Sequence, residues 1–61
     1  MILVDFKLAM SEHTVSINLE HVCSVMDYTE TSCLIEMVNG KSHHVEGTRL
    51  NVIRRLREHA K

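Results

Sequence analysis

The sequence predicts an α+β domain: four to five short antiparallel strands followed by one C-terminal amphipathic helix. Three observations predict it. Apolar and polar residues alternate over several short runs, which is the period of a half-buried strand. Those runs are separated by brief polar breaks and one Asn-Gly pair, the punctuation of antiparallel hairpins. After Gly47 the period lengthens to that of a helix, with Leu50, Val52, Ile53, Leu56 and Ala60 inside an arc of about 160°. The 61 residues allow one domain, spanning 1–61.

The elements follow in order. Ile2, Val4, Phe6 and Leu8 point one way, so residues 2–8 read as a strand. Ser11-Glu12-His13 is a polar turn, and Val15, Ile17 and Leu19 resume the alternation over 14–19. Asn18 to His21 reads as a bend. Residues 22–28, VCSVMDY, are β-branched and aromatic enough for a third strand. A polar break at 29–32 precedes a fourth over 33–38, CLIEMV. Asn39-Gly40 predicts a two-residue turn, because both residue types accept positive φ. That turn pairs Glu36 with His43, Ile35 with His44 and Leu34 with Val45, with residues 41–46 returning as the fifth strand. Thr48 is a good N-cap for a helix over 49–60.

Composition bounds the function classes. A chain this short buries only about 60% of its unfolded surface, so it is marginal without a staple. Two cysteines are too few for a disulfide scaffold. The start MILVDFKLAM has no basic lead and is interrupted by Asp5 and Lys7, so it is not expected to be a signal peptide. No apolar run approaches the roughly 20 residues that cross a bilayer. The expectation is a cytoplasmic protein with no membrane association. The net charge of −1 is unevenly spread: residues 1–46 carry −5 and residues 47–61 carry +4.

No constellation predicts catalysis, a metal or a cofactor. Cys23 and Cys33 are ten apart, unlike the close pairs of structural zinc sites, and adjacent His43 and His44 point to opposite faces of a strand. Both cysteines read as small core residues on facing strands. Cys33 with His44 lacks an orienting third group. The carboxylates are scattered singly, and there is no phosphate-binding glycine loop. The methionines read as core fillers.

Two interaction surfaces are predicted instead. Arg49, Arg54, Arg55, Arg57 and Lys61 make the helix basic, and they are the candidate contacts for a partner or for nucleic acid. By spacing, however, they are dispersed around the helix, with Arg49 and Arg57 at the apolar arc, and cations near a helix C-terminus also complement its dipole. The sheet carries more apolar surface than one helix covers, so it is the candidate oligomer interface, with Ile35, Met37 and His44 named for it.

Residues 17–56, INLEHVCSVMDYTETSCLIEMVNGKSHHVEGTRLNVIRRL, resemble the central strands and helix of LytTR-type DNA-binding domains. They share an Ile-x-Leu start, a strand, a polar break, an extended run ending in a Gly turn, and a capped Leu-rich helix. The whole chain also resembles small flagellar FlbD-type proteins. It is similar in length and order to the carbon storage regulator family, whose RNA-binding dimers have a basic first strand where this chain reads Val4-Asp5-Phe6-Lys7. The sequence ends at the helix, where a LytTR domain continues, so these likenesses imply architecture more than function. The reading that results is a small, non-enzymatic regulatory or adaptor protein that self-associates. The alternative is a small nucleic-acid-binding regulator using the basic helix.

Overall fold

A computed structural model describes residues 1–60. The order is β1 (Leu3–Lys7), β2 (Thr14–Asn18), a 3-10 turn (Leu19–His21), β3 (Val22–Thr29), β4 (Ser32–Met37), β5 (Ser42–Glu46) and α1 (Arg49–His59). The predicted α+β arrangement, five antiparallel strands and then a helix, is the one observed.

The strands form two sheets rather than one. β1 and β2 make a hairpin with Val4 opposite Ile17 and Phe6 opposite Val15. β3, β4 and β5 make a three-stranded meander with β4 in the middle. The sheets touch at one antiparallel bridge, Leu8 with Val45, and the Ala9 N–H donates to the His44 carbonyl at 3.0 Å. A single core lies between them: Val4, Phe6 and Ile17 from the hairpin, Cys33, Ile35 and Val45 from the meander, and Val52 and Leu56 from α1. The inner face of the meander is therefore covered by the hairpin and the helix together. This corrects the expectation of a single five-stranded sheet of which one helix covers only part of one face.

The Asn39-Gly40 hairpin is also different from the prediction. Only Gly40 has positive φ, at 86°, while Asn39 does not. The Gly40 N–H donates to the Met37 carbonyl at 3.0 Å, and the Met37 N–H to the Lys41 carbonyl at 2.7 Å. This is a three-residue loop, a tight turn closed by a left-handed glycine. The Asn39 backbone stays outside the left-handed region, and its side-chain Oδ1 accepts from the Lys41 N–H at 3.0 Å. The extra loop residue slips the register by one, so Ile35 pairs with His43, Leu34 with His44 and Cys33 with Val45. Since side chains alternate, His43 and not His44 shares a side with Ile35.

α1 begins where predicted. The Thr48 hydroxyl accepts from the Asn51 N–H at 3.3 Å, and Gly47, at φ 121°, turns the chain off β5. The helix buries Val52 and Leu56.

Candidate functional site

The cations of α1 divide into two pairs once the buried face is known. Val52 and Leu56 define the inward direction. Arg49 and Arg55 stand on either side of it, each within about 100° by helical spacing, and each grips a different layer. Arg49 Nε lies 3.5 Å from Asp27 Oδ2 on β3. The Arg55 guanidinium sits 4.5 Å above the Phe6 ring, and its Nη2 donates to the Asp5 carbonyl on β1. These two candidate contacts are occupied in holding the helix to the sheets.

Arg54 and Arg57 are the other pair. Among the described residues the ion pairs are Lys7–Glu46 and Arg49–Asp27, which leaves Arg54 and Arg57 without one. They line a shallow groove with Leu50, Ile53 and Glu58. Leu50 is 68% exposed, so it is not part of the buried face. The sequence reading placed Leu50 in the apolar arc and the arginines around it. With Leu50 facing out, Arg54 and Arg57 bracket it within about 40° on each side and form one outward stripe. Lys61 lies outside the described residues.

The candidate interface residues of the sheet are not brought together. Ile35 is 0% exposed at the centre of the core, and Met37 is half-buried on the same inner face. His44 is on the outer face, a consequence of the register. The outer face carries Met26, Leu34 and His44 in one cross-strand row and Ser24, Glu36 and Ser42 in the next. Met26 and Glu36 are exposed, and Leu34 is half-buried. Tyr28 is exposed beside them, its ring 4.4 Å from that of His44.

At the end of this face an open cleft of about 560 Å³ is lined by Ala9, Met10, Thr29, Thr31, Ser32, His44 and Glu46. Inside it His44 Nε2 and Ser32 Oγ share a hydrogen bond of 2.8 Å, and Ser32 Oγ shares another of 2.6 Å with Thr29 Oγ1. The sequence reading missed Ser32. A serine–histidine pair acts as nucleophile and base when a third group orients the ring and donors await an oxyanion. Here Glu46, the acid in the cleft, reaches Lys7 at 2.9 Å instead. The Thr29 and Ser32 hydroxyls and the His44 ring satisfy one another across β3, β4 and β5 and fasten the Thr29–Ser32 turn, whose Thr31 carbonyl accepts from the Gly47 N–H.

The cysteines behave oppositely. Cys33 is fully enclosed, and burial, with Asp27's charge adding to it, raises its thiol above the ordinary value of 9.0. Cys23, expected in the core, is exposed where β3 departs from regular pairing. Of the methionines expected to fill the core, Met1, Met10 and Met26 are exposed and Met37 is partly buried. Among the described residues no three His, Cys, Asp or Glu side chains gather as a metal site, and no helix is long and apolar enough to cross a membrane.

Comparison with family models, curated proteins and solved structures finds no match to this chain.

Proposed function

We propose that this chain is a small, non-enzymatic regulatory or adaptor protein of the cytoplasm, acting through protein–protein interaction as a homo-oligomer. The observation that carries the reading is the apolar surface left outside a completed core. Hairpin, meander and helix already enclose eight residues, yet Leu50, Met26 and Tyr28 remain exposed. Leu50 stands on the helix and Met26 with Tyr28 on the outer face of the meander, so two separate surfaces each carry exposed apolar groups beside charge, as interaction surfaces do. Light scattering at micromolar concentration is expected to give a mass that is a multiple of the 7.0 kDa chain. The single-chain mass throughout contradicts the homo-oligomer.

A second reading is supported by the alignment of Arg54 and Arg57 on the outward stripe: a nucleic-acid-binding regulator. It is weakened by the engagement of Arg49 with Asp27 and of Arg55 with Phe6. Phosphate binding requires retention on heparin and an affinity that falls steeply with salt. The protein-interaction reading predicts flow-through at roughly 100 mM salt with no gel shift, whereas retention that Arg54→Ala with Arg57→Ala abolishes establishes the alternative.

A further inference from the structure

The outward stripe of α1 and the outer face of the meander match each other in spacing and in charge. On α1, Leu50 is followed one turn later by Arg54, about 6 Å along the axis. On β4, Leu34 is followed two residues later on the same face by Glu36, about 6.7 Å along the strand. Met26 flanks Leu34 in its row, and Ser24 and Ser42 flank Glu36. Each surface is thus an apolar group and then a charge at nearly the same interval, with the charges opposite in sign.

We propose that copies of this chain associate head to tail, the Leu50–Arg54 stripe of one seated on the Met26–Leu34–Glu36 face of the next. The inference rests on the self-association reading and names its two surfaces. Like-on-like pairing is disfavoured on both sides. Helix against helix sets Arg54 and Arg57 of each copy against the same pair, with only Glu58 beside them. Sheet against sheet sets Glu36, which has no ion-pair partner among the described residues, against its own copy. Juxtaposed like charges oppose docking, and complementary ones favour it. Within one protomer α1 packs on the inner side of the meander, against β3 and β1, so its outward stripe and the outer face belong to different sides of the molecule. A contact between two different patches that is made once per pair is heterologous, and it closes as a ring or extends as a filament. Its salt-bridge component is exposed and weakens as ionic strength rises.

The test uses two variants of the full chain, each altered only at exposed positions of one surface. One is Leu50→Asp with Arg54→Glu; the other is Met26→Lys with Glu36→Lys. Circular dichroism melts establish that both fold. In sedimentation velocity the wild type is expected above the 7.0 kDa chain mass, and each variant alone at 7.0 kDa. An equimolar mixture of the two is expected to associate into species of at least twice that mass, because the intact helix stripe of one variant meets the intact sheet face of the other. Wild-type-like association of either variant alone overturns the head-to-tail proposal, as does a mixture that stays at the single-chain mass. A wild type at 7.0 kDa, including one that binds only some other protein, overturns the self-association reading and the proposal with it.

Discussion

Arg55 and Cys33 show how single residues are committed to the fold. Arg55 spans two interactions with β1, the face of Phe6 and the carbonyl of Asp5. A cation over an aromatic ring contributes about 0.5–1 kcal/mol at an exposed site, so Arg55 belongs to the attachment of α1 rather than to a partner. Cys33 is the titrating group of the core. Its folded thiol is held protonated above 9.0, by burial first and by Asp27 second. A raised value means the folded state binds the proton more tightly than the unfolded one. The associated stability is fully present below 9.0 and is lost as pH rises through the folded-state value. Thermal melts at pH 8 and pH 10 are therefore expected to separate more for the wild type than for Cys33→Ala. An equal loss in both contradicts the linkage. None of this was legible in the sequence, where Cys23 and Cys33 read alike. Burial depends on which strand is central and where β3 loses its regular pairing, and neither is written in the local pattern.

At the scale of elements, the strand and helix order was legible because alternation and helical period are local properties. The strands' grouping into two sheets was not, because the Leu8–Val45 bridge joins residues far apart in the chain. The Asn39-Gly40 signal correctly marked a hairpin and misassigned its register. Three-residue and two-residue loops use the same residue types, and the choice lies in whether Asn39 enters the left-handed region. The other hairpin holds a conformational outlier. Met10 has φ 58° and is 97% exposed, in the loop that the Leu8 N–H closes onto the His13 carbonyl. A left-handed residue with a Cβ costs roughly 1–2 kcal/mol, part of which glycine returns as greater freedom when unfolded. Met10→Gly is expected to raise stability by about 0.5–1 kcal/mol in urea titration, and a loss contradicts the strain. Met10 also rims the cleft of Ser32 and His44, a placement shared by many strained residues at binding surfaces.

At the scale of the molecule, a chain of this length holds only about 3–9 kcal/mol of stability. Its core is compact but small, built on Phe6, Ile17, Ile35 and Val45. Association through the surface left outside that core would add stability by mass action. The candidate surfaces were half legible in the sequence. The excess of apolar residues and the charge asymmetry were there to read. The facing of Leu50 was not, because two helix orientations satisfy the same periodicity and only packing of Val52 and Leu56 into the shared core selects one. On the proposed self-association, the outward stripe of α1 is a surface for association rather than for folding. Sedimentation of the wild type beside Leu50→Asp, at matched concentration and with melts recorded in dilute solution, tests it most directly. The wild type is expected to sediment above 7.0 kDa, and Leu50→Asp at that single-chain mass with its cooperative melt retained. Equal masses for the two proteins, or a variant that no longer folds, would contradict it.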